Sequence, residues 1–151
     1  MKSPGISYHT HPNRMGITGW IYGGPYRLER FLYTIHRATG LGVLLYLVMH
    51  IGVTWFKNDP GTWKILMDML EMPAFRFGEY IVFFGVVFHA INGIRLIVGE
   101  FGFLMGKPKM PVYPYPLALL RQRPFLVALM VITGILVIYG AIEIMGPMLI
   151  Q

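Results

Sequence analysis

The sequence predicts an all-α membrane protein: three transmembrane helices, an N-terminal extended arm and a short interfacial helix. Of its 151 residues, 55% are hydrophobic and only 13% are charged, with a mean hydropathy of +0.55. That is too apolar for an ordinary soluble domain. Three runs are long enough to cross a bilayer, which takes about 20 mostly apolar residues in a helix. The charges collect between and beside these runs.

Residues 1–26 form the arm. Pro4, Gly5, Pro12, Gly16, Gly19, Gly23, Gly24 and Pro25 interrupt any regular pattern. The short apolar core of a signal peptide is missing. His9 and His11 have no carboxylate or cysteine cluster beside them, so they fit a tail lying on a partner or at the membrane interface better than a metal site.

Residues 27–151 form the three-helix anchor, with helices at about 31–56, 78–104 and 124–146. Tyr26 to Arg30 reads as a short amphipathic lead-in. Ala38 to Phe56 carries no formal charge, and Gly40 and Gly42 allow a neighbouring helix to come close. Asp59-Pro60-Gly61 is a turn signal. Trp63, Leu66, Met67 and Leu70 then fall at i, i+3, i+4, i+7, as in a short helix lying in the interface. Gly106 to Pro116 is an extended connection in which Tyr113 and Tyr115 alternate with prolines. The third span has no charge before Glu143 and no histidine, and reads as scaffold ended by Gly146-Pro147.

Lys2, Arg14, Arg27, Arg30, Arg37, Arg95, Lys107, Lys109, Arg121 and Arg123 belong to one side, and Lys57, Lys64 and Arg76 to the other. This bias puts the N-terminus in the cytoplasm of a multi-pass inner-membrane protein, or alternatively in the matrix at the mitochondrial inner membrane. The net charge of +6 is therefore a topology signal, and no nucleic-acid partner is expected. With no cysteine, structural disulfides, iron–sulfur ligation and thiolate zinc sites within this chain are excluded.

Ionisable groups at bilayer depth are costly, face the bundle interior and mark function. Phe88-His89-Ala90-Ile91-Asn92-Gly93-Ile94-Arg95 places two of them in the apolar run from Tyr80 to Val98. Two readings of His89 fit: an axial ligand to a b-type haem, or a buried histidine bonded to a neighbouring helix. Arg95 then sits near the haem edge or the membrane surface. His89 lies roughly 9 Å deeper than Arg95, and His50 about 21 Å along the first helix from His36. One histidine in each half of the bilayer suits two stacked haems, each completed by a ligand from another chain or copy. Tyr33, Thr34, His36, Arg37 and Thr39 bring hydroxyls and a guanidinium to the inner end of the first helix. They fit a quinone carbonyl with Arg37 stabilising the developing anion. They equally fit an arginine snorkelling to head groups.

His36-Arg37-Ala38-Thr39-Gly40 resembles the His-Arg-x-Ser/Thr-Gly motif of the cytochrome b subunit of succinate dehydrogenase. His89-Ala90-Ile91-Asn92-Gly93-Ile94-Arg95 resembles the same family's His-x-x-x-Gly-Ile-Arg-His motif, and Glu100-Phe101-Gly102 its acidic-Phe-Gly continuation. The resemblance covers roughly Arg30 to Gly146. It implies a haem b-binding membrane-anchor subunit (anchor C) of succinate:quinone oxidoreductase. Such a subunit relays electrons from the iron–sulfur subunit to ubiquinone or menaquinone. The implied partners are the flavoprotein subunit, the iron–sulfur subunit, a second membrane anchor and the lipid bilayer. The chain itself has no flavin-binding glycine fingerprint, so it would not oxidise succinate itself; the resemblance implies a subunit of an enzyme complex, with no catalytic residue assigned to this chain.

The same resemblance implies His89 as the axial haem ligand, and Arg37 at the quinone site and near the haem propionates. It implies His36 beside the propionates. The family's quinone-site serine falls at Tyr33, with Thr34 adjacent as an alternative hydroxyl. Leu96 stands where the family often has histidine, so one propionate contact is missing or taken over by Arg95. His50 corresponds in depth to the additional first-helix ligand of two-haem members. The haem count is thus one or two. A haem-free structural anchor of a fumarate reductase-type complex is the alternative. A small transporter subunit is another, although the first two helices carry no mid-depth carboxylate and the chain shows no internal repeat or broken helix.

Overall fold

The computed structural model describes residues 27–104, 106 and 121–149. The expected arm, with His9 and His11, and the proline-rich connection beyond Gly106, with Tyr113 and Tyr115, lie outside the described residues. The chain divides into two units, Met1–Ile35 and His36–Gln151. The described part of the first unit is the opening of helix α1.

Among the described residues four α-helices follow one another: α1 (Arg27–Trp55), α2 (Pro60–Leu70), α3 (Pro73–Glu100) and α4 (Arg123–Leu149), with a 3-10 turn at Phe56–Asn58 between α1 and α2. There is no strand among the described residues. Helices α1, α3 and α4 are long and apolar enough to cross a membrane, so the protein is an all-α membrane protein.

Several boundaries differ from the sequence expectation, each for a local reason. The expected lead-in at Tyr26 to Arg30 is, from Arg27 on, already part of α1. No Pro or Gly stands between Arg27 and Thr39, so nothing interrupts the helix. Helix α3 begins at Pro73, five residues before Gly78. Pro73 enters the first turn, where its missing N–H costs nothing, and Arg76 pairs with Glu79 at 3.5 Å one turn on. The same helix stops at Glu100 instead of Leu104. Gly102 and Leu104 take positive φ values of 77° and 61°, which end α-helical hydrogen bonding. Helix α4 runs past Gly146-Pro147 to Leu149. Pro147 sits in the last turn, where its missing N–H removes one hydrogen bond, to the Glu143 carbonyl.

The short helix α2 shows the apolar face its spacing predicts. Trp63, Leu66, Met67 and Leu70 are all half-buried, while Lys64, Ile65, Asp68 and Met69 are exposed. Asp59 caps it from an extended conformation, its carboxylate accepting from the Gly61 amide at 3.3 Å and the Thr62 hydroxyl at 2.5 Å. The Thr62 hydroxyl, helped by the Gly61 and Thr62 amides, holds the Asp59 carboxyl below its ordinary value of 3.8. A depressed folded-state value means the cap stabilises α2 fully above pH ~3.8 and is lost as pH falls below it, through the folded value. Protection of the amides of residues 61–64, relative to their intrinsic exchange at each pH, is therefore expected to fall on acidification through that window, and Asp59→Asn is expected to flatten the pH dependence.

Helices α3 and α4 pack against each other. On α3 the buried positions are Gly85, Phe88, Asn92 and Arg95, spaced three, four and three. On α4 they are Leu126, Thr133 and Gly140, spaced seven. Both are heptad spacings, the pattern of helices that cross at a shallow angle. Gly140 is small because the Phe83 ring occupies the place a Cβ would take. By contrast, the most apolar stretch of α1 has no buried residue.

Candidate cofactor site

Helices α1 and α3 each carry a His-x-x-x-Gly step, His36–Gly40 and His89–Gly93. A helix puts residues four apart on one face, so each histidine stands one turn from a glycine. The two steps run antiparallel and interlock. The imidazoles stack in parallel, with centroids 4.0 Å apart and planes within 3°. Each ring lies over the other helix's glycine. A Cβ on Gly40 would come within 2.7 Å of His89 Cε1, and one on Gly93 within 3.5 Å of His36 Cε1. Glycine at position 40 is thus a requirement of close approach.

The hydrogen bonds set the state of His89. Its Nδ1 is 3.0 Å from the His36 carbonyl oxygen. A carbonyl can only accept, so Nδ1 carries the proton and Nε2 keeps its lone pair. The Thr39 hydroxyl donates to the same carbonyl at 3.0 Å and lies 3.5 Å from His89 Nδ1. Among the described residues Nε2 has no hydrogen-bond partner and is not sealed in the interior, unlike His36 Nδ1, which is buried and has none among them either. Among the described residues no three His, Asp or Glu side chains cluster.

One turn along α3 is a polar pair. Asn92 is fully buried, and its Oδ1 accepts from Arg95 Nε at 3.0 Å. Arg95 is 5% exposed. Its guanidinium lies inside the helix bundle, within electrostatic reach of His36. Sequence reading missed Asn92, although an amide three residues before an arginine in an apolar run is a readable signal. Replacing Asn92 with leucine strips Nε of this acceptor. It is expected to lower stability by roughly 1–3 kcal/mol, measured by thermal unfolding in detergent. Gln122, also missed, is buried against Gly99 with its Nε2 unpartnered.

The structure brings His36, Thr39, Gly40 and His89 together and sets Arg95 beside them. His50 does not join them. It is exposed, and its ring tilts against Tyr46 at 5.5 Å. Arg37 is exposed on the helix flank beside His36. In the first unit, Tyr33 is exposed and Thr34 half-buried.

Over 70 residues the chain is 29% identical to the succinate dehydrogenase 2 membrane subunit SdhC of Mycobacterium tuberculosis. The chain is similar to a succinate dehydrogenase membrane subunit. The match covers 46% of this chain, which spans about half the length, 52%, of that relative. No protein-family model and no solved structure matches the chain.

The residues fit a haem. Metal-binding histidines typically donate their second ring nitrogen to a carbonyl or carboxylate, which fixes the tautomer and the ring orientation. His89 has that arrangement, with its Nε2 lone pair unused. An interior guanidinium a turn and a half along the same helix suits a haem carboxylate.

Proposed function

We propose that this chain is the haem b-binding membrane anchor of a succinate:quinone oxidoreductase. The observation that carries the reading is the His89 Nδ1–H bond to the His36 carbonyl, which leaves Nε2 ready for an iron. The likeness to a succinate dehydrogenase membrane subunit supports it, as do three helices fit to span a bilayer. Haem, when bound, supplies a one-electron store between iron–sulfur clusters and quinone.

The chain's own residues have distinct tasks. His89 holds the iron from α3. Arg95, kept interior by Asn92, offers positive charge for propionates. Arg37, next to His36, donates to a quinone carbonyl and stabilises the anion that forms on reduction. Tyr33 or Thr34 is the candidate hydroxyl for binding a quinone. His50 is the candidate ligand of a second haem in the opposite half of the bilayer. The N-terminus faces the cytoplasm of the inner membrane, or the matrix of a mitochondrion, and the flavoprotein, iron–sulfur and second anchor subunits complete the assembly.

The test is purification of the complex from membranes through a tag on this chain, with haem b quantified per copy and partner subunits identified. Co-purified flavoprotein and iron–sulfur subunits, one or two haems, and succinate-dependent quinone reduction are expected. Arg37→Ala is expected to raise the KM for quinone by about tenfold or more, the effect of losing a charge-assisted hydrogen bond. Two haems, one of them lost in His50→Ala, would establish the second site. A complex that assembles with no haem would overturn the cytochrome reading. It would favour a haem-free anchor, in which the stacked histidines only tie α1 to α3.

A further inference from the structure

We propose that Thr39 is a positioning residue for His89. Its hydroxyl holds the His36 carbonyl and sets the rotation of the His89 ring about its bond to the iron. This inference rests on the reading of His89 as haem ligand.

The geometry singles out the hydroxyl. Thr39 lies on α1 between two positions of α3 that are four residues apart, Gly85 and His89. Its Cγ2 and Cβ face Gly85, with 3.9 and 4.0 Å to the place of a Cβ there. That is ordinary packing contact. Its Oγ1 points the other way, 3.0 Å from the His36 carbonyl and 3.5 Å from His89 Nδ1. A threonine has few χ1 choices in a helix, so packing at Gly85 directs the hydroxyl toward His89. The His36 carbonyl receives both the Thr39 hydroxyl and the His89 Nδ1–H at 3.0 Å. Loss of the hydroxyl leaves one restraint on that carbonyl fewer and removes the second polar atom facing Nδ1. The parallel stack on His36 fixes the plane of the ring. The Thr39 bond fixes the point on which its Nδ1 pivots.

Ligand-ring orientation is read directly by the electron paramagnetic resonance of low-spin ferric haem, so the test does not depend on turnover. The purified complex is compared with Thr39→Val, which keeps the shape and the Gly85 contact but loses the hydroxyl. Thr39→Ser keeps the hydroxyl, and His89→Ala is the control. The expected result is haem retained in Thr39→Val with a shifted or broadened low-spin signal, and the native signal restored in Thr39→Ser. If Thr39→Val loses its haem, retention of haem with the native signal in Thr39→Ser supports the hydroxyl's role. A native signal in Thr39→Val overturns the inference, as does the same disturbed signal in both variants. Full haem content in His89→Ala overturns the ligand reading itself. Loss of haem there, with Thr39→Val native, overturns the Thr39 inference alone.

Discussion

Replacing His89 with alanine is expected to abolish haem at this site while leaving the complex assembled. The ring is held by three things, none of which an alanine can supply: the stack on His36 at 4.0 Å, the Nδ1–H bond to the His36 carbonyl and the pocket over Gly40. Loss of an axial ligand removes both the iron bond and the oriented second shell behind it. Outer-shell losses alone typically cost ten- to a hundredfold in metal affinity, so loss of the ligand itself must exceed that. Helix α3 survives because its buried seam of Gly85, Phe88, Asn92 and Arg95 does not include His89. The reduced-minus-oxidised spectrum and pyridine-extracted haem per copy measure the effect. Full haem content in the purified His89→Ala complex would sink the assignment.

The second large effect comes from a single methyl group. Gly40→Ala places a Cβ within 2.7 Å of His89 Cε1 and 3.2 Å of Nδ1, closer than carbon atoms can sit. The ring cannot simply swing aside, because the His36 stack and the carbonyl bond hold it. Either the ring tilts out of the stack or α1 and α3 separate. Overpacking of this kind costs roughly 1–3 kcal/mol. The expected outcome is a complex of lower thermal stability with haem partly lost or spectrally altered. The matching change at Gly93 meets His36 Cε1 at 3.5 Å, an ordinary contact, so Gly93→Ala is expected to be mild. Equal effects at the two glycines would show that the stack is looser than drawn.

Much of the fold was legible because the controlling pattern is local. Apolar runs between charged connections mark the spans, and their length follows from the rise of a helix against the thickness of a bilayer. The α2 face of Trp63, Leu66, Met67 and Leu70 was legible from period alone. The ends of helices were less so. Pro73 starts α3 and Pro147 fails to stop α4, since a proline is harmless in a first turn and costs one bond in a last one.

For the site, the sequence offered His36, Arg37, His89, Arg95, His50, Tyr33 and Thr34 as candidates, with Gly40 as a close-packing position. They are polar or small residues standing where a lipid-soluble helix has no other use for them. What it could not reveal is which of them meet. His36 and His89 are fifty-three positions apart. Their stacking depends on the antiparallel register of α1 on α3, which sets each imidazole over the facing glycine. Nor could sequence decide that Arg95 is buried in the bundle, that Asn92 bonds it, or that His50 stands apart on an exposed flank. Those outcomes depend on helix rotation. Helix rotation is set by the sum of packing contacts across the seam, each small and none encoded in any single stretch of chain.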